Sequence, residues 1–200
     1  MKTPRMPAFA LERASGQRRG WVFACALPML LAIGACASVR VPEGATFVVV
    51  RHAEKADDGS RDPALSGRGE ARAQTLAARL HDAPLVAAYA TAFRRTQQTA
   101  QPAARMHRVA LTTYDASMPP ADLAAILRVR HASGTILVVG HSNTVPDIVA
   151  ALCACQVAAL GEDDFDALYA VHIDGDGHAL LDAGRQSAAP AQSPAMEAPR

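Results

Sequence analysis

Arginine and histidine residues follow three apolar segments of this sequence. Arg51 and His52 come directly after TFVVV, Arg94 and Arg95 come shortly after LVAAYA, and His141 comes directly after ILVVG. Short apolar runs rich in β-branched residues are typical of strands buried on both faces of a parallel sheet. Because ligands bind at the carboxyl ends of such strands, the sequence predicts that these side chains share one site.

These residue types suit the transfer of a phosphoryl group. Charge in that reaction spreads over three phosphoryl oxygens, and planar guanidinium groups match them well. A histidine with a neutral ring nitrogen free can attack phosphorus, which gives a phosphohistidine that water later hydrolyses. Neighbouring arginines lower the pKa of that histidine and favour its neutral form. A second, protonated histidine can donate to the transferring oxygens. Since the protein itself supplies the cations, we expect no metal ion and no cofactor.

Helix and strand patterns alternate along the middle of the chain. Helices are predicted at SGRGEARAQTLAARLHDA, with Ser66 as N-cap, at RTQQTAQPAARMHR, where Pro102 breaks or kinks the helix, at ADLAAILRVRHA and at TVPDIVAALCA. Strands are predicted at TFVVV, LVAAYA, VALTTY, TILVVGH, FDALYAVHID and HALLDA, with DGDG as the turn between the last two. We therefore expect an α/β fold, a three-layer α/β/α sandwich with a mainly parallel central sheet and an antiparallel edge.

Four stretches in this order, RHAEK, ALSGRGEARAQTLA, TAFRRTQQTA and VVGHSNT, resemble the histidine phosphatase superfamily, which includes phosphoglycerate mutases and phosphohistidine phosphatases. The resemblance covers about residues 46 to 172. It implies a phosphoglycerate mutase-like fold and a phosphatase that acts on a small phosphorylated substrate. The short domain has little room for insertions that retain a substrate, which favours hydrolysis over a mutase reaction.

The resemblance also implies a role for each matching residue. His52 corresponds to the phosphorylated nucleophile, Arg51 to a phosphate-binding guanidinium, and His141 to the second histidine. The residues around TAFRRTQQTA match the family motif in the register that selects Arg95, rather than Arg94, as the second phosphate ligand. The chain departs from the family's more usual RHG in having alanine at position 53.

The residue that protonates the leaving group is left open by the sequence. Glu54, next to the nucleophile, and Asp115, beyond the third strand, are both candidates for a general acid. Ser142 and Asn143, at the start of the last helix, are expected to add hydroxyl, amide and backbone N–H donors to the bound phosphoryl group.

Both ends of the chain are expected to lie outside the folded domain. Residues 1–35 combine a basic start with the apolar stretch WVFACALPMLLAIGA, which predicts a signal peptide. Its end, IGAC, resembles the lipobox of bacterial lipoproteins and implies lipidation of Cys36; cleavage of an ordinary signal near ACA is the alternative. We expect residues 36–43 to be a tether, 44–183 the histidine phosphatase domain and 184–200 a disordered tail.

These features predict an exported protein of the bacterial cell envelope. Ala37 follows Cys36, where an acidic residue would favour the inner membrane, so an outer-membrane lipoprotein facing the periplasm is implied. The only membrane contact expected is the lipid anchor. The 20 basic and 19 acidic side chains nearly balance, which argues against nucleic-acid binding, and no partner protein is implied.

Two alternatives to a phosphatase remain at this stage. A zinc hydrolase is disfavoured because no ligand spacing such as His-x-x-x-His occurs. A non-catalytic envelope lipoprotein that binds a phosphate ligand on the same fold is the other alternative. An oxidising compartment would allow Cys153 and Cys155 to form a disulfide. Because a disulfide across one residue closes a strained ring, we favour small apolar side chains at a helix end.

Overall fold

The computed structural model describes residues 44–186, which form one six-stranded sheet with two helices on each face. The strands are β1 (Ala45–Arg51), β2 (Leu85–Thr91), β3 (Leu111–Tyr114), β4 (Gly134–Gly140), β5 (Ala167–Ile173) and β6 (Ala179–Arg185). The helices are α1 (Gly67–Arg79), α2 (Arg94–His107), α3 (Pro120–Arg130) and α4 (Val145–Cys153). This confirms the predicted three-layer sandwich.

The sheet has the order β3-β2-β4-β1-β5-β6. Strands β1 to β4 are parallel to one another, whereas β5 runs antiparallel to β1, and β6 runs antiparallel to β5. The sheet is therefore mainly parallel with an antiparallel edge, as predicted.

Alternation along β1 divides the core between the two faces of the sheet. Phe47 and Val49 point into the cluster formed with α3 and α4, and Val48 and Val50 point into the cluster formed with α1 and α2. Successive strand residues point to opposite faces, so a strand covered on both faces needs an unbroken apolar run. This is why the segment before Arg51 contains no polar residue after Thr46.

Two details of the predicted elements change. Of the two predicted effects of Pro102, a break does not occur: helix α2 continues through this residue, because small residues such as Ala100, Ala103 and Ala104 pack it closely against the sheet and offset the lost hydrogen bond. Strand β6 extends past the predicted domain boundary at residue 183, since Arg185 pairs with Ala167.

The structure shows the less favoured alternative for the cysteines: at the end of α4, Cys153 and Cys155 form a disulfide with a Cα–Cα distance of 5.2 Å. Ala154 between them has a left-handed backbone, with φ 52°, at the C-cap of α4. This turn brings the two side chains onto the same side of the chain.

The predicted signal peptide, tether and Cys36 lie outside the described residues, as does the chain after residue 186. Among residues 44–186, the helices are all too short or too polar to span a bilayer.

Candidate active site

The two histidines meet because β1 and β4 are adjacent and parallel. Arg51 pairs with Gly140 at the carboxyl ends of these strands, and the His52 N–H donates to the Gly140 carbonyl over 2.9 Å. The next residue of each strand therefore projects from the same edge. The rings of His52 and His141 lie 5.5 Å apart, centroid to centroid, and are tilted by 66°.

A cavity of about 330 Å³ opens at this edge of the sheet. It is lined by His52, Phe93, Arg95, Ala116, His141, Ser142, Asn143 and Thr144. The structure thus brings together five of the residues selected from the sequence. Arg51 and Glu54, which were also selected, lie outside the lining.

His52 is oriented by its own backbone. Its Nδ1 lies 2.8 Å from the carbonyl oxygen of Ala53, which can only accept, so Nδ1 carries a proton and Nε2 bears the lone pair of the neutral ring. Burial lowers the pKa of His52 to about 4, and the positive charge of Arg95 and Arg51 contributes. At neutral pH this ring is uncharged, with a free lone pair on Nε2.

Two hydrogen bonds connect the residue after His52 to helix α2. The Ala53 N–H donates to Thr99 Oγ1 over 2.9 Å, and the Thr99 hydroxyl donates to the Arg95 carbonyl over 2.7 Å. Thr99 is a motif residue in the sequence, and this contact gives it a physical role. It holds the loop after β1 against the first turns of α2.

Arg51 is buried and held by the segment that precedes β5. Its Nη1 donates to the carbonyls of Gly161 and Glu162 over 3.0 and 2.7 Å, and its guanidinium lies 4.1 Å from the ring centroid of Phe165. Its Nε has no hydrogen-bond partner among the described residues. Burial lowers the pKa of Arg51, but an arginine stays charged at neutral pH.

The sequence analysis missed these contacts with Arg51. No motif indicates that two backbone carbonyls will face it. The one available signal is Phe165, a rare aromatic residue in an otherwise acidic stretch. That ring also lies 6.1 Å from the ring of His52.

Arg95 lines the cavity, and Arg94 does not. The Arg95 guanidinium lies 4.3 Å from the ring centroid of Phe93, and its Nη1 lies 3.7 Å from the Asp62 carboxylate. Arg94 is exposed, and its backbone N–H donates to Asp62 over 3.0 Å. The structure thus places the arginine selected by the motif register at the cavity.

His141 packs edge to face on Phe93, with ring centroids 5.3 Å apart. Its backbone N–H donates to Thr144 Oγ1 over 3.1 Å, which fixes the start of α4 beside the cavity. Burial lowers the pKa of His141 to about 4, and Arg95 and Arg51 lower it further. The unliganded ring is therefore neutral at pH 7, whereas the sequence analysis expected a protonated second histidine.

Glu54 does not have the environment of a general acid, which corrects one of the predicted roles. Its carboxylate accepts two hydrogen bonds from Arg72, at 2.6 and 2.9 Å, and lies 2.9 Å from Arg68. Burial alone would raise the pKa of Glu54, but these arginines outweigh burial and lower it. Glu54 is thus an ionised partner of α1 and is not among the residues that line the cavity.

Asp115 is no better placed to donate a proton. Its carboxylate accepts hydrogen bonds from the backbone N–H and the hydroxyl of Ser117, each over 2.8 Å. These bonds lower the pKa of Asp115. Both candidates are therefore carboxylates at neutral pH.

The DGDG turn holds the one group of metal-ligand side chains found among residues 44–186. Donor atoms of Asp174, Asp176 and His178 lie within 4.8 Å of one another. Asp174 Oδ1 accepts from the backbone N–H groups of the other two, at 3.0 and 2.9 Å. These bonds account for the cluster as a capped hairpin turn, as the sequence predicted.

Comparison with known proteins agrees with this geometry. Residues 47–116 match the model of the histidine phosphatase superfamily (branch 1). No curated protein matches the chain significantly. These findings and the fold confirm the resemblance predicted from the motifs.

Solved structures share the fold at low sequence identity. The protein histidine phosphatase SixA, complexed with tungstate, is 19% identical, with a TM-score of 0.57 over 70% of this chain and 97% of its own. A mycobacterial glucosyl-3-phosphoglycerate phosphatase is 16% identical, with a TM-score of 0.54 over 71% and 99%. A phosphoglycerate mutase from Bacillus anthracis is 14% identical, with a TM-score of 0.56 over 72% and 94%.

Proposed function

We propose that this chain is a member of the histidine phosphatase superfamily, whose model it matches over residues 47–116, and that it is a metal-independent phosphatase that hydrolyses phosphate monoesters through a phosphohistidine on His52. One observation carries the proposal. His52 is a buried, neutral imidazole whose Nδ1 proton is committed to the Ala53 carbonyl, and Arg95 and His141 line the same cavity. A neutral nucleophile beside a fixed cation, here Arg95, is the arrangement that attack on a phosphate anion requires.

In the first step, the lone pair on His52 Nε2 forms a bond to phosphorus while the bond from phosphorus to the ester oxygen breaks. The electron pair of that bond stays on the leaving oxygen, which takes a proton from water. In the second step, a water oxygen bonds to phosphorus, the N–P bond breaks, and its electron pair returns to Nε2. The water proton leaves with the phosphate or with solvent. Arg51 and Arg95 offset the charge on the phosphoryl oxygens throughout.

The proposed chemistry favours good leaving groups. Both carboxylates considered as proton donors are held in their ionised forms, Glu54 by Arg72 and Asp115 by Ser117. A leaving group that is stable as an anion, or that is protonated by water, does not need an enzymic acid. We therefore expect aryl and other activated phosphates to turn over faster than simple alkyl phosphates.

Three solved structures of the same fold are named as a protein histidine phosphatase, a glucosyl-3-phosphoglycerate phosphatase and a phosphoglycerate mutase, so all three chemistries suit this scaffold. The mutase match covers 94% of the mutase chain, so a short chain does not separate hydrolysis from transfer. Our proposal is hydrolysis, and its product is free inorganic phosphate.

The test is turnover by the full-length chain. Wild type, His52→Ala and the matched control His81→Ala, an exposed histidine outside the cavity, are assayed for phosphate release from aryl, sugar and amino acid phosphates, with and without a chelator. We expect chelator-resistant turnover by wild type and His81→Ala, and a loss on the order of 10⁴-fold in His52→Ala. Phosphate binding without any hydrolysis would support the non-catalytic alternative instead.

We also propose that the chain is exported and anchored to the envelope through lipid on Cys36, as the lipobox-like IGAC suggests. Metabolic labelling with a fatty acid tests this proposal. Cys36→Ser should abolish the label, and Cys25→Ser, the matched control within the apolar stretch, should retain it. Label that persists in Cys36→Ser would contradict the anchor.

A further inference from the structure

Two fully buried threonines lie behind the second histidine of the cavity. His141 Nε2 is 3.1 Å from Thr91 Oγ1, and Thr91 Oγ1 is 2.8 Å from Thr96 Oγ1. Both threonines have no exposed surface. The positions of the two hydroxyl protons therefore decide which nitrogen of His141 carries a proton.

The direction of this hydrogen-bond chain is set at its inner end. Thr96 Oγ1 lies 2.8 Å from the carbonyl oxygen of Phe93 and 3.1 Å from that of Thr91. A carbonyl can only accept, and a hydroxyl has one proton to give. Two carbonyls lie within reach of that proton, and we assign it to the nearer one, the Phe93 carbonyl. The contact between the two hydroxyls then requires Thr91 to donate to Thr96.

With its own proton directed to Thr96, Thr91 Oγ1 is an acceptor toward His141. The hydrogen bond between them must then be donated by His141 Nε2. A neutral imidazole carries a proton on only one nitrogen, so Nδ1 is left with a lone pair. Burial and the charges of Arg95 and Arg51 keep the pKa of His141 near 4, so the neutral ring is the form present at pH 7.

We infer that Thr91 is a positioning residue that holds His141 as the Nε2–H tautomer and leaves Nδ1 as the proton-accepting nitrogen for a phosphoryl group in the cavity. This inference rests on the proposed function for its ligand. The cavity then binds a singly protonated phosphoryl oxygen through one proton shared between that oxygen and Nδ1. His52 has the opposite tautomer, with Nδ1 protonated and Nε2 free.

The tautomer can be read directly by ¹⁵N NMR on the full-length chain labelled at histidine, at neutral pH and without ligand. We expect His141 Nε2 to show a protonated shift and Nδ1 an unprotonated one, with His141→Gln used to assign the signals. Thr91→Val keeps the shape of the side chain but removes the hydroxyl, so we expect a mixture of tautomers. Thr91→Ser should restore the single tautomer.

The matched control is Thr135→Val, a buried threonine on β4 whose hydroxyl does not contact His141. We expect its spectrum to equal that of wild type. Inorganic phosphate serves as the binding probe, and we expect its affinity to fall about tenfold in Thr91→Val, the effect of one hydrogen bond, and to be unchanged in Thr135→Val.

A wild-type His141 protonated on Nδ1, or a Thr91→Val variant with unchanged tautomer and unchanged phosphate affinity, would overturn the inference. Neither readout requires turnover. Failure of the phosphatase proposal and failure of the tautomer assignment are therefore seen in separate experiments.

Discussion

At the scale of single residues, His52 is defined by where its protons go. Its Nδ1 proton is donated to the Ala53 carbonyl, and burial keeps a second proton off Nε2 until the pH approaches 4. An exposed histidine changes charge near 6.5, so this ring keeps its nucleophilic form through the whole range in which most enzymes work.

The first prediction is the titration itself. The Cε1–H resonances of His52 and His141, assigned with His52→Gln and His141→Gln, should titrate with midpoints near 4. Because these folded pKa values lie below the value in the unfolded chain, the unfolded chain binds more protons than the folded chain at any pH between about 4 and 6.5. The free energy of unfolding should therefore fall as the pH drops from about 6.5 to 4. Midpoints near 6.5 would contradict the environment described for both rings.

Glu54 provides a second residue-scale prediction. Glu54→Gln leaves the Arg72 guanidinium partly buried without its counter-charge, so we expect a loss of about 3 kcal/mol in the free energy of unfolding. Removing a general acid would cost on the order of 10² to 10⁴ in kcat, whereas loss of an ion-pair partner should change kcat less than tenfold in the folded variant. Denaturant unfolding and steady-state kinetics check the two effects separately. If Glu54→Gln lost more than about 10²-fold in kcat with its stability unchanged, Glu54 would be the general acid and not an ion-pair partner.

At the scale of elements, helix α1 is hydrogen-bonded to the loop that carries His52. The Ser66 N–H donates to the Glu54 carbonyl over 2.9 Å, and Ser66 Oγ accepts from the Gly69 N–H as the N-cap. The approach is so close that a Cβ atom on Gly69 would overlap with the Glu54 carbonyl oxygen. The first turn of α1 therefore requires glycine at this position.

Two glycines of that turn make a matched pair. Gly69→Ala should destabilise the protein by about 3 kcal/mol through overpacking and should lower kcat/KM, because the displaced backbone is two residues from His52. Gly67→Ala, with no atom within 4 Å of its Cβ, should be neutral or stabilising by up to about 1 kcal/mol. Thermal unfolding of the two variants compares them, and equal stabilities would contradict the close approach.

The disulfide is also an element-scale feature. It lies at the end of α4, the helix whose N-cap residue, Thr144, accepts a hydrogen bond from the His141 N–H. It closes a loop of only three residues, so the loss of chain entropy it imposes on the unfolded state is small. We expect the double variant Cys153→Ser, Cys155→Ser to lose about 1.5 kcal/mol of stability. Reductant should lower the melting temperature of wild type to that of the variant and leave the melting temperature of the variant unchanged. A variant as stable as oxidised wild type would argue against the bond.

At the scale of the whole molecule, the sequence predicts where polar residues gather but not what faces each of them. Strand ends after apolar runs, together with the order of the motifs, place His52, Arg95 and His141 at one edge, and the structure brings them to one cavity. Parallel pairing makes this predictable, because strands of one sheet share their carboxyl edge.

The parts that the sequence does not predict depend on distant contacts. The partner of Glu54 lies 18 residues along the chain, and the carbonyls that face Arg51 lie 110 and 111 residues away. Backbone carbonyls carry no sequence signature, and a carboxylate next to a nucleophile looks the same whether it is an acid or an ion-pair partner. The disulfide depends on the left-handed turn at Ala154, which residue types alone do not indicate.

The measurement that most directly tests the account is capture of the covalent intermediate. The full-length chain is mixed with an activated aryl phosphate, quenched with alkali within the first turnover, and digested for mass spectrometry. The account predicts an acid-labile phosphate on His52, absent in His52→Ala and formed more slowly in Arg95→Ala. Steady turnover with no phosphate on His52 at any time, or with the phosphate on another residue, would contradict it.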